Sequence, residues 1–221
     1  FFMNKIKKIA IMTGGGDCPS LNAVIRAVVK TAIVKYGLEV VGIRKGYHGL
    51  YHKDFIKLTL ESVQEIIGQG GSILKSSNKD NLFKYPVRDE NDDIVKKDGQ
   101  IVYEDVSHVG VQNLKDEGID ALFVLGGDGT LTSARDFSRL GVNVIGIPKT
   151  IDNDLAVTDH TPGFGSAAKY VATTVQEIIR DSSVYSIQSV TVVEIMGRHS
   201  GWLAASSCIL RANGEDAPHL I

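Results

Sequence analysis

The chain has 221 residues, 43% of them hydrophobic and 23% charged, with a mean hydropathy of +0.01. At about 150 residues per domain this makes one large domain or one and a half, with enough apolar material for a sizeable core, which excludes disordered, collagen-like and low-complexity classes. Lys+Arg number 24 against 26 Asp+Glu, leaving −2 and a pI near 6.3, so no global positive field draws in nucleic acid or an anionic membrane. Any phosphate it binds must be held locally.

Apolar, β-rich runs at 6–12, 39–43, 121–125, 143–147 and 189–195 are each followed by a turn signal and a segment of helical period. That alternation predicts an α/β fold with a mostly parallel, Rossmann-like sheet flanked by helices. The first run ends in Thr13-Gly14-Gly15-Gly16-Asp17, after which Leu21, Val24, Ile25, Val28 and Val29 fall at helical spacing. The stretch 85–103 is polar, lacks sustained periodicity, and reads as a surface insertion or hairpin excursion. The third run ends in Gly126-Gly127-Asp128-Gly129-Thr130, and a further amphipathic helix runs through Ala167, Ala168, Val171, Val175, Ile178 and Ile179. Trp202 opens an apolar helix and is expected to pack in a core. In open α/β sheets ligands bind beyond the carboxyl ends of the strands, where the glycine loops gather.

Two cysteines, Cys18 and Cys208, make no disulfide framework, and neither CxxC nor paired histidine ligand spacing is apparent. No apolar signal core opens the chain, and no run reaches the roughly 20 residues of a membrane span. A cytoplasmic location is expected. The last residues resemble the entry to another strand, which suggests a chain whose C-terminal part is missing.

Each chemical motif has a plain structural alternative. Residues 14–17 are either a phosphate cradle at a helix N-terminus or a tight turn with a helix cap. Neither GxxxxGK[ST] nor a spaced GxGxxG is present, which argues against P-loop and dinucleotide-binding folds. In Gly126-Gly127-Asp128-Gly129-Thr130, Asp128 is either a carboxylate for Mg²⁺ carrying nucleotide phosphates or a cap for the next helix. Pro148-Lys149-Thr150-Ile151-Asp152-Asn153-Asp154 places two carboxylates, a hydroxyl, an amide and an ammonium in one loop after a strand. Such a set suits phosphoryl transfer to an alcohol, where a carboxylate accepts the hydroxyl proton while cations shield the moving charge. The alternative is a solvated Asp/Asn-rich turn.

Taken together, Gly15-Gly16-Asp17-Cys18-Pro19-Ser20-Leu21-Asn22, Gly70-Gly71-Ser72-Ile73-Leu74, Gly126-Gly127-Asp128-Gly129-Thr130, residues 148–155, Thr161-Pro162-Gly163-Phe164 and Met196-Gly197-Arg198 resemble the phosphofructokinase family in order and spacing. The resemblance implies a phosphofructokinase fold, with a donor-binding domain over 1–161 carrying the insertion near 85–103, and the incomplete beginning of a sugar-phosphate domain over 162–221. It implies Gly15, Asn78, Lys79, Gly127, Asp128, Gly129 and Thr130 on the donor, with Asp128 and Asp154 at the metal. Asp152 would be the base at the sugar 1-hydroxyl, Thr150 and Ile151 would position the acceptor, Arg198 would steady the moving phosphoryl group, and Met196 and Gly197 would shape the sugar side.

Two positions bear on the donor. In the family, glycine at the position of Gly129 leaves room for the α-phosphate of ATP, whereas lysine at the position of Lys149 usually accompanies pyrophosphate but also occurs in ATP enzymes. The family's loop GGTxLGSSR reads here Gly70-Gly71-Ser72-Ile73-Leu74-Lys75-Ser76-Ser77-Asn78, with Lys75 for glycine and Asn78 for the donor-meeting arginine. The expected function is transfer from MgATP to fructose 6-phosphate, giving fructose 1,6-bisphosphate, with Mg²⁺ as cofactor. The alternatives are a pyrophosphate-dependent phosphotransferase or a non-catalytic regulatory paralogue. A homodimer or homotetramer is expected, with no nucleic acid or membrane partner, and these 221 residues alone are expected to be inactive or feeble.

Overall fold

The computed structural model describes residues 6–77, 80–91, 93–212 and 216–221. It divides into two compact units, Phe1–Pro148 and Lys149–Ile221.

In the first unit, β1 (Lys8–Thr13) leads through the first glycine turn into α1 (Leu21–Lys30), which continues as a π-helical turn at Thr31–Lys35. Then come β2 (Glu39–Ile43), α2 (Tyr47–His52), β3 (Phe55–Leu58) and a 3₁₀ turn at Glu61–Val63. Four two-residue strands follow: β4 (Tyr85–Pro86), β5 (Lys96–Lys97), β6 (Gln100–Ile101) and β7 (Tyr103–Glu104). The unit closes with α3 (Ser107–Asp116), β8 (Ala121–Gly126), α4 (Asp128–Arg139) and β9 (Val144–Pro148). The main sheet has the order β3-β2-β1-β8-β9. Its β1–β2, β1–β8 and β8–β9 pairs are parallel, and β3 is an antiparallel edge on β2.

Alternation along the central strands splits the core into two faces. Ala10, Met12, Leu122 and Val124 pack with Leu50, Leu114 and Phe137 from α2, α3 and α4. Ile9, Ile11 and Ala121 pack on the opposite face with Ile25 and Val29 from α1. Because both faces are covered there, these strands read as continuous apolar runs. Their shared direction brings the turns after β1 and β8 to one carboxyl edge of the sheet, the edge at which β9 also ends. The 85–103 region is a hairpin excursion: β4 pairs with β7, and β5 with β6 around Asp98-Gly99.

The second unit holds α5 (Phe164–Ser183) and α6 (Trp202–Ser206). Its core is small, Ala167, Ala168 and Leu203 packed with Ile151, Phe164 and Ile195. Two expectations fail here. Residues 189–195 form no strand, and Val190 and Val192 stay exposed: β propensity makes a strand only where a neighbour supplies the ladder, and this unit has no named strand among its described residues. Trp202 is 59% exposed, and Leu203 takes the buried position instead, because a five-residue helix buries one narrow stripe and Trp202 lies off it.

Candidate active site

On the first unit, the turn after β1 is bolted to the loop 70–77. The Gly15 N–H donates to the Ser77 carbonyl at 3.0 Å, and the Ser76 hydroxyl donates to the Gly15 carbonyl. Thr13, fully buried at the end of β1, donates its hydroxyl to the Lys75 carbonyl and lies 3.0 Å from the Ser72 hydroxyl. Asn22, 2% exposed on α1, accepts from the Ile73 N–H at 2.8 Å and donates to the Gln69 and Gly70 carbonyls at 3.2 Å each. Asn22 shares its helix stripe with Ile25 and Val29. A polar residue on an apolar stripe must find partners, and that is the signal by which Asn22 could have been singled out from sequence.

The loop after β8 presses on the first turn. A Cβ on Gly14 or Gly126 would fall 2.6 or 2.5 Å from the Thr130 side chain, so both glycines are required by close approach. Thr130 is therefore a wedge between the two loops, and its carbonyl accepts from the buried Tyr47 hydroxyl at 2.9 Å. Burial pushes the Tyr47 phenol far above its ordinary range, which keeps it a neutral donor. Gly127 precedes α4, and Asp128 and Gly129 stand exposed in its first turn. A Cβ on Gly129 would meet nothing within 4 Å. Cys18 is buried, and Asn78 and Lys79 lie outside the described residues.

On the second unit, the loop 149–154 is organised by hydroxyl groups. Thr150 donates to the Asp154 carboxylate at 2.7 Å and accepts from the Asp152 N–H at 3.2 Å. The buried Thr161 donates to the Thr150 carbonyl at 2.7 Å, and a parallel bridge joins Thr150 to Gly163. Asn153 takes the left-handed conformation, φ 53°, and its amide donates to the Asp159 carbonyl at 3.1 Å. Lys149 is buried and Ile151 packs on the small core.

Asp152 is the electrostatic centre of this loop. Its Oδ1 is buried and accepts no hydrogen bond from the described protein atoms. Burial holds its carboxyl above the ordinary aspartate range, the neighbouring Asp154 adds to that, and the Arg198 charge opposes both. Arg198 sits exposed in the tight turn 197–200, where Gly197 has φ 132° and a Cβ would fall 2.2 Å from the Ser200 carbonyl. Met196 beside it is 64% exposed. Asp152, Asp154 and Arg198 thus act electrostatically on one another on the second unit, with Thr150 hydrogen-bonded among them, while Asp128 and the glycine loops lie on the first. Of the two hydroxyls that hold the Asp152 loop, Thr161 stands in the quoted segment Thr161-Pro162-Gly163-Phe164, whereas Ser200 carried no signal beyond its proximity to Met196-Gly197-Arg198.

Among the described residues no group of three His, Cys, Asp or Glu side chains could hold a metal ion by itself. His48 and His52 do stand one turn apart on α2, with ring centroids 4.4 Å apart, a pairing the sequence reading overlooked. An exposed carboxylate at the head of α4 suits a hard cation whose remaining ligands are phosphate oxygens and waters, so Asp128 fits magnesium delivered with a nucleotide.

A phosphofructokinase family model matches residues 8–216. The chain belongs to the phosphofructokinase family. It is 60% identical over 207 residues to ATP-dependent 6-phosphofructokinase 2 of Clostridium perfringens, covering 94% of this chain and 54% of that protein. It is 44% identical over 202 residues to a pyrophosphate–fructose 6-phosphate 1-phosphotransferase of Dictyoglomus thermophilum, covering 91% and 52%. The solved phosphofructokinase of Saccharomyces cerevisiae superimposes with a TM-score of 0.73 at 33% identity, over 92% of this chain and 28% of that one. The chain thus spans about half the length of the curated relatives it matches. The phosphofructokinase fold therefore stands, and among the described residues no helix is long and apolar enough to cross a membrane.

Proposed function

We propose that the full-length protein transfers the γ-phosphoryl group of MgATP to the 1-hydroxyl of fructose 6-phosphate, as a cytoplasmic homo-oligomeric enzyme. The observation that carries this reading is Asp152, a half-buried carboxylate held by burial above the ordinary aspartate range, whose Oδ1 accepts no hydrogen bond from the described protein atoms and which feels the charge of Arg198. A base poised to take an alcohol proton needs that combination. Thr150 and Ile151 orient the acceptor, Met196 and Gly197 bound it, and Arg198 stabilises charge on the phosphoryl oxygens. The donor side belongs to Gly15, Gly127, Gly129 and Thr130, with Asn78 and Lys79 assigned to the same role from sequence. Magnesium, held by Asp128, would neutralise charge on the donor phosphates, and Asp154 is assigned to the metal from sequence.

The functional boundary near residue 161 lies past the packing boundary, since loop 149–154 packs with the second unit. For the donor, the open space beside Gly129 supports ATP, because a side chain there would crowd an α-phosphate. Lys149 and the 44% identity to a pyrophosphate-dependent protein favour the second reading, transfer from pyrophosphate. A coupled assay of the full-length protein separates them. ATP is expected to support turnover and pyrophosphate to fail; the reverse result replaces the donor. No turnover with either, despite sugar-phosphate binding, makes the protein a regulatory paralogue.

A further inference from the structure

We propose that Ser200 is a positioning residue that ties the Arg198 turn to the main chain of Asp152. The inference rests on the phosphotransfer reading above and adds to it the device that keeps base and arginine in register. The Ser200 hydroxyl donates to the Asp152 carbonyl oxygen at 2.8 Å, across 48 residues of sequence. From the other side, the Asp152 N–H donates to the Thr150 hydroxyl at 3.2 Å. The peptide groups flanking Asp152 are thus held by two hydroxyls from different loops, while its Oδ1 is left unpartnered. An unpartnered carboxylate takes its direction from its backbone, so the two backbone bonds decide where it points.

The turn itself is stiff. The Ser200 N–H closes on the Gly197 carbonyl at 3.4 Å, and only glycine fits at Gly197. A movement of Ser200 therefore carries Arg198 with it, and losing the hydroxyl lets the turn and the Asp152 loop drift apart. Misplacement of about 1 Å between groups that meet a transition state can lower rates steeply. Ser200 touches no reacting atom in this account; it acts through Asp152 and Arg198.

The test uses the full-length protein with each donor and fructose 6-phosphate. Ser200→Ala is expected to lower kcat about five- to tenfold, the worth of about one hydrogen bond, with the donor KM changed less than about twofold. Ser200→Thr, which keeps the hydroxyl, is expected to recover most of the loss. Amide hydrogen exchange should rise together in segments 150–154 and 196–200 in the Ala variant and return toward the wild-type rate in the Thr variant. An active wild type whose kcat is unchanged by Ser200→Ala overturns the inference and leaves the phosphotransfer reading standing. A wild type inert with both donors overturns that reading, and this inference with it.

Discussion

The two units hold their candidate site residues by different means. On the first unit, the loops after β1 and β8 are pinned by buried side chains: Asn22 and Thr13 are almost wholly enclosed, and Thr130 wedges between two glycines. On the second, the loop 149–154 hangs on the half-buried hydroxyls of Thr150 and Ser200 and the buried one of Thr161, and its central carboxylate oxygen accepts nothing from the described protein atoms. Backbone N–H groups that cradle phosphates are useful only when already in place, whereas a base must keep one acceptor unsatisfied until the alcohol arrives. The first half spends its polar groups on one another, and the second withholds them.

The sharpest way to break that comparison is Asp152→Asn. In the full-length protein it is expected to lower kcat by about 10²- to 10⁴-fold, the range for loss of a general base, with fructose 6-phosphate binding little altered. The sign on stability is opposite. Asp152 keeps its proton to higher pH when folded than when unfolded. From the ordinary aspartate value near 3.9 up to the raised one, stability therefore falls as pH rises, and at neutral pH the ionised carboxylate opposes folding. Asparagine removes that opposition, so the variant should melt slightly above the wild type at pH 7, with the difference gone at pH 3. The wild-type pH–rate profile should carry an acid limb above the ordinary carboxylate range. A variant that keeps its turnover removes Asp152 from the role of base.

On the first unit the expected balance reverses, with stability lost before chemistry. Asn22→Ala leaves the half-buried Ile73 N–H, and the carbonyls of the exposed Gln69 and Gly70, without their side-chain partner. The two carbonyls can turn to water, and the one remaining unsatisfied N–H costs about 1–3 kcal/mol, so thermal denaturation should show a fall of about 4–8 °C for roughly 2 kcal/mol in a chain of this size. A change below about 1 °C would mean that solvent replaces the lost partner, and the contrast between the halves would shrink.

The parallel core was legible because β1, β2 and β8 are buried apolar runs, of which β1 and β8 end in glycine turns; β9, only partly buried, was legible from its apolar residues alone. The strand expected at 189–195 was not legible as anything else: its valines carry β propensity, and the missing ingredient is a neighbour, which propensity cannot see. The antiparallel edge β3 is only four residues long and carries no turn signature strong enough to announce it. In the site, the charged residues were readable because their chemistry is unusual in a loop. The residues that hold them, Thr13, Asn22, Ser76, Thr161 and Ser200, are ordinary hydroxyls and an amide whose partners lie 11 to 63 residues away, a distance no local pattern spans.

The smallest effect expected is at Lys75, where the family's loop carries glycine. Its φ is 56° and its side chain is exposed, so the chain accepts a left-handed lysine in the loop that braces Gly15. Lys75→Gly relieves a strain of about 1–2 kcal/mol but loses about 0.5–1 kcal/mol to the freer unfolded chain, for a net gain of at most about 1.5 kcal/mol. A melting temperature raised by a few degrees, with the donor KM unchanged, would leave Lys75 a strained brace residue. If instead the donor KM rises severalfold while the protein becomes more stable, the ammonium meets the donor. It then supplies the charge absent at Asn78, and the division between a self-satisfied first half and an open second half softens at this one side chain.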